Sequence, residues 1–126
     1  MMETETIFGQ VVAKANNYMA VPAKDGEKRI IKNDKVRSYE ASFKAQCKIY
    51  KGRNIDKPFV LYIAVYFRNE RADLDNSLKT ILDCLQMCDA ITDDNLCYKI
   101  VAEKRIDTKQ PRIQFGIIEY NNNFLK

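Results

Sequence analysis

Phe59 to Phe67 is an unbroken apolar and aromatic run, Phe-Val-Leu-Tyr-Ile-Ala-Val-Tyr-Phe. A short run rich in β-branched and aromatic side chains is a strand, either covered on both faces or paired against a partner subunit. It is far shorter than the roughly 20 residues that cross a bilayer. Directly behind it comes Arg71-Ala72-Asp73-Leu74-Asp75-Asn76-Ser77-Leu78-Lys79-Thr80-Ile81-Leu82-Asp83. In this stretch Leu78, Ile81, Leu82 and Leu85 recur at i, i+3, i+4 and i+7, which predicts a helix from about Asp75 to Met87. A buried strand therefore hands over to an amphipathic helix, and two aspartates stand at the junction.

The rest of the chain is read outward from that unit. Residues 5–15 are rich in β-formers and predict a first strand, broken by Asn16-Asn17-Tyr18. Residues 19–33 carry the turn signals Pro22 and Asp25-Gly26 and read as an irregular basic segment. Within it, Lys28 to Lys32 is a short edge strand or an ordered loop. Asp34 caps a helix whose stripe is Val36, Tyr39, Phe43, Cys47 and Tyr50, with Gly52 as its stop. Residues 88–95 form a loop carrying Asp89, Asp93 and Asp94. Strands follow over residues 96–106 and 112–120, separated by a turn. The expectation is one α+β domain over residues 1–126, a mixed or antiparallel sheet with two α-helices packed mainly on one face. The length of 126 residues suits one domain.

Composition removes several chemistries. The chain has no histidine, which excludes Ser/His and Cys/His nucleophile systems and histidine-based zinc hydrolases. Cys47, Cys84, Cys88 and Cys97 fall on apolar positions without zinc-finger spacing, and read as reduced core thiols of an intracellular protein. No signal peptide or membrane span is visible, so the expected location is cytoplasmic. The net charge of +4 is unevenly spread. Residues 24–57 hold eleven Lys/Arg against five Asp/Glu, a balance of +6; residues 70–94 hold two against seven, a balance of −5. A basic region beside an acidic one suits a metal-dependent enzyme that grips a polyanion, while a solvated helix face would give the same basic count.

The acidic stretch has its own chemistry. Carboxylates held close together raise each other's pKa, so such clusters favour a cation. Asp73 and Asp75 alternate about Leu74, and extended backbone would put both on one face. With a third carboxylate, Asp94, they make an all-oxygen set suited to Mg²⁺, with Mn²⁺ as a substitute, rather than zinc. Lys79 would stabilise the extra negative charge of a phosphodiester transition state. Asp75, Lys79 and Asp83 lie four apart, which stacks them on one helix face. An EF-hand is excluded: the sixth position counted from Asp73 is Leu78 rather than Gly, and the twelfth is Cys84 rather than Glu.

Asp73-Leu74-Asp75-Asn76, then Lys79, Asp83 and Asp93-Asp94, resembles the RusA-type Holliday junction resolvases of bacteria and phages. The likeness extends over nearly the whole chain, including the Asn-Asn-Tyr segment at residues 16–18, the basic stretch and helix before the central strand, and the two closing strands. It implies a homodimeric, Mg²⁺-dependent endonuclease that nicks four-way branched DNA symmetrically. By position, Asp73, Asp75 and Asp94 match the metal-binding aspartates and Lys79 the catalytic lysine. Asp83 is expected to hold Lys79, Asp93 to support the site from behind, and Asn76 to cap the helix or touch DNA. Asn16, Asn17, Tyr18, Lys28, Arg29, Lys32, Lys35, Arg37, Arg68 and Arg71 are the candidate DNA contacts. The Pro-rich opening usual before the Asn-Asn segment is replaced here by Val11-Val12-Ala13-Lys14-Ala15. Two other readings compete. One is a junction-binding or assembly protein of the same fold without turnover. The other is a small-molecule phosphatase, which would want a phosphate-cradling glycine loop; the four glycines, Gly9, Gly26, Gly52 and Gly116, are not clustered. No organic cofactor is expected.

Overall fold

The computed structural model describes residues 2–13, 18–22, 28–32 and 34–122, with backbone alone over 18–22 and 28–32. The elements are β1 (Glu5–Phe8), β2 (Tyr18–Pro22), β3 (Lys28–Lys32), α1 (Asp34–Gln46), β4 (Phe59–Phe67), α2 (Leu74–Met87), β5 (Cys97–Ile106) and β6 (Arg112–Glu119). A four-stranded mixed sheet runs in the order β1-β6-β4-β5, so the expected α+β class is correct. The apolar run is its central strand β4, antiparallel to β6 and parallel to β5.

The alternation of β4 explains where the core lies. Phe59, Leu61, Ile63, Val65 and Phe67 are all at most 5% exposed and form one face. Both helices cover that face: Phe43 of α1 stacks on Phe115 of β6, and Ile81 and Leu85 of α2 join the same cluster. On the opposite face Tyr62, Ala64 and Tyr66 are half-buried, so within one chain the strand is fully covered on one side only. Gly116 of β6 lies there under the N-terminal segment. A Cβ at that position would stand 2.6 Å from the Met2 sulfur and 2.8 Å from the Glu3 carbonyl oxygen, a separation that side chains do not tolerate.

Three sequence expectations need correction. The first strand stops at Phe8, because Gly9 turns the chain with φ +107°. The segment expected to be irregular, with Lys28 to Lys32 as a short edge strand or an ordered loop, is a second, two-stranded antiparallel sheet: Lys28 to Lys32 is the strand β3, and β2, which was not expected, pairs with it, Tyr18 opposite Lys32. The first helix ends at Gln46 rather than near Gly52. Cys47 and Tyr50 are still buried, but in the turn beyond the helix. That turn is closed by Glu5 of β1. Its carboxylate accepts from the backbone N–H groups of Lys48 (2.5 Å), Ile49 (2.9 Å) and Tyr50 (3.0 Å) and from the Cys47 thiol (3.4 Å). Burial pushes this carboxyl up, but the three backbone donors outweigh it and leave it below its ordinary value. All four cysteines are free; the Cys88 sulfur lies 3.7 Å from that of Cys47.

Candidate active site

The parallel pairing of β4 with β5 requires a crossover, and α2 is that crossover. It starts where β4 ends and runs back past both strands, so its first turn and the loop before β5 lie at opposite ends of the helix. Asp73 is the last extended residue, with φ −94° and ψ 128°, and Asp75 is already in the first helical turn. The two carboxylates are thus placed by a helix start rather than by continuous extended backbone. Leu74, between them, is partly buried and packs against the core. Asp75 gains from the positive end of the helix dipole.

Local hydrogen bonds fix this corner. The Asn76 amide donates to Asp73 Oδ2 (3.2 Å), the Asn76 backbone N–H to Asp75 Oδ1 (2.9 Å), and Ser77 Oγ to the Asp73 carbonyl (3.0 Å). Asn76 therefore links the two aspartates instead of capping the helix. Farther along, Lys79 Nζ donates to Asp94 Oδ2 (2.8 Å) and pairs with Asp83 Oδ1 (3.1 Å). Asp83 holds Lys79, as the spacing of four predicts. The Asp93 carboxylate accepts from the Asn95 N–H (2.9 Å) and caps the 3₁₀ turn Asp94–Leu96. Gln86 of α2, which the sequence reading passed over, accepts from the Asp94 backbone N–H (3.2 Å) and ties that turn to the helix.

The hydrogen bonds from Asp94 and then Asp83 push the Lys79 ammonium up to about 12. Lys79 in turn holds the Asp94 carboxyl below its ordinary range. Lys79 is therefore a cation at neutral pH.

The full convergence of three carboxylates is not formed. Among the described residues no three acidic or cysteine side chains are grouped closely enough to hold a metal ion. The set divides into Asp73 with Asp75 at the helix start, and Asp94 with Asp83 around Lys79. Topology gives the reason. Asp75 and Asp83 are eight residues apart, about 12 Å along the axis, with Lys79 midway. Like charges repel, and an ammonium between them is the favourable arrangement. The donors are nonetheless all carboxylate oxygens, which fits a hard cation such as Mg²⁺ and not zinc.

Beside Asp73 lies a groove of about 480 Å³ lined by Gln10, Lys35, Arg68, Arg71, Asp73 and Asn76 among others. It brings three of the candidate DNA contacts to the acidic corner. Arg37 is exposed on α1. Asn16 and Asn17 lie outside the described residues, and for Tyr18, Lys28, Arg29 and Lys32 only the strand backbone is described. The groove wall is held by Thr80 of α2, whose hydroxyl donates to the Val12 carbonyl (2.7 Å), and by Gln10, which accepts from the Arg68 N–H (2.6 Å).

The sequence pattern of endodeoxyribonuclease RusA matches residues 9–118. The chain belongs to the RusA family. The match takes in both helices, the central strand and every residue of the RusA acidic corner. RusA is an endodeoxyribonuclease family. No curated protein matches the chain. Among the described residues, no helix is long and apolar enough to cross a membrane.

Proposed function

We propose that this protein is an Mg²⁺-dependent endonuclease that resolves four-way DNA junctions by paired nicks, acting as a homodimer. The observation that carries this reading is the pair of contact sets Asp73–Asn76–Asp75, at the start of α2 beside a groove lined by Lys35, Arg68 and Arg71, and Asp83–Lys79–Asp94, where the same helix meets the turn before β5. Asp73, Asp75 and Asp94 would hold the ion. Bound Mg²⁺ would act as a Lewis acid on the phosphate and lower the pKa of a water beside it.

The protein's own groups do the rest. Lys35, Arg68 and Arg71 neutralise backbone phosphates and hold a strand against the acidic corner. Asn76 keeps Asp73 and Asp75 facing together. Lys79 is already charged and stabilises the negative charge that builds on the phosphate in the transition state. Two copies supply the two sites that a symmetric junction needs for paired cuts.

The test is Asp75→Asn with a labelled four-way junction, scored for binding and cleavage with and without Mg²⁺ beside a linear duplex. The expected result is cleavage lost to background with binding kept or tightened, because a negative charge near phosphate has been removed. Full cleavage by the variant in Mg²⁺ would remove Asp75 from the site. Wild-type protein that binds the junction without nicking it would make this a binding protein instead.

A further inference from the structure

Lys104 lies near the C-terminal end of β5, a strand whose outer edge pairs with no other strand among the described residues. Such a lysine ordinarily serves as a charged guard on a sheet edge. Here its ammonium turns inward over the end of β4, 5.7 Å from the centre of the Phe67 ring. It donates to the Glu70 carbonyl (2.8 Å) and the Ala72 carbonyl (2.6 Å). These carbonyls belong to the turn joining β4 to α2, and Ala72 immediately precedes Asp73.

The same turn is fastened at its other end. Arg68 gives its N–H to Gln10 (2.6 Å), and its carbonyl accepts from the Thr108 hydroxyl (3.1 Å). The Arg71 N–H closes on the Asn69 side chain (2.9 Å). Lys104 engages the Glu70 and Ala72 carbonyls, next to the first aspartate, and it does so with two charge-assisted bonds, stronger than neutral ones. We propose that Lys104 is a positioning residue for the Asp73 half of the site: by clasping the Glu70 and Ala72 carbonyls, it fixes the turn that delivers Asp73 to the helix start. Groups behind metal-binding carboxylates set their orientation, and losing one weakens metal binding or activity by roughly 10- to 100-fold. The inference rests on the reading of Asp73 as a metal-holding residue.

Lys104→Met keeps the aliphatic stem over Phe67 and removes the donor; Lys104→Arg keeps a donor. Both are compared with wild type by Mn²⁺ binding to the DNA-free protein, by the Mg²⁺ dependence of nicking, by junction affinity in EDTA, and by amide hydrogen exchange. Lys104→Met is expected to weaken Mn²⁺ binding roughly tenfold or more and to raise half-saturating Mg²⁺ in step. Junction affinity in EDTA stays within about twofold, because the groove lysine and arginines are untouched. Exchange speeds up over residues 69–73 and is unchanged in β4 and α2, and Lys104→Arg recovers part of the loss. Wild-type Mn²⁺ affinity in Lys104→Met overturns the proposal. So does faster exchange throughout β4 and α2 that arginine does not correct, since that assigns Lys104 to general stability. Wild-type protein that takes up no Mn²⁺ overturns it too. Wild-type protein that takes up Mn²⁺ but cuts no junction sinks the nuclease reading and leaves the role of Lys104 standing.

Discussion

Glu5 and Asp94 are both carboxylates held by nitrogen donors, and the protein treats them in opposite ways. Glu5 is 4% exposed, and both its oxygens are engaged by backbone N–H groups of the turn after α1. Those donors cannot leave without unfolding the turn. Asp94 has a quarter of its side chain exposed and holds one flexible ammonium that it shares with Asp83. That partner can swing away on a rotamer change. A carboxylate saturated by backbone closes a fold, whereas one matched by a mobile cation stays open to exchange its partner for a ligand. The contrast separates these two regions more sharply than charge count does.

The largest effect that would test it is on the open side. Lys79→Met should lower the cleavage rate about 10²- to 10³-fold, the usual consequence of losing one donor to a transition-state anion. Its folding midpoint in urea should barely move, since an exposed ion pair contributes little. A large loss of stability would mean that Asp94 is held for the fold after all. On the closed side, Glu5→Gln should do the reverse. It leaves buried backbone donors facing an amide and should cost about 2–3 kcal/mol in urea unfolding, while cleavage per folded molecule is unchanged.

Acidity sharpens the same contrast by a smaller amount. The Glu5 carboxyl is lowered in the folded protein, so its contribution is complete above the unfolded-state value and is lost as pH falls through the folded one. The stability gap between wild type and Glu5→Gln should therefore close on acidification below about pH 4, as read by unfolding curves at several pH values. Lys79, pushed up to about 12, should keep its charge throughout, so the rate between roughly pH 6 and 9 should show no alkaline fall from its titration. Smallest of all, exchanging Arg71 for Ala should weaken junction binding modestly and lower the salt slope by about one.

Much of this was legible before any coordinates. β4 stood out because apolar residues fill both its faces, and α2 because its leucines keep helical phase. The Lys79–Asp83 pair followed from a spacing of four. What escaped depends on partners far away in sequence. Glu5 meets its backbone donors 43 to 45 positions later, and Lys104 reaches carbonyls 32 and 34 positions earlier; neither distance leaves a local pattern. The hairpin of β2 and β3 escaped because Pro22 and Asp25-Gly26 read as breakers, whereas Pro22 closes one strand and the Asp-Gly pair falls between the two. The division of the acidic set also escaped, because sequence order does not reveal that a parallel crossover carries Asp94 to the far end of α2.

That crossover makes α2 a ruler. Asp75, Lys79 and Asp83 are marks on a rigid rod, and what keeps them in line is their phase around the axis. Inserting one residue between Asp75 and Lys79 would twist every later mark by about 100°, turning the lysine out of the row without deleting a single charge.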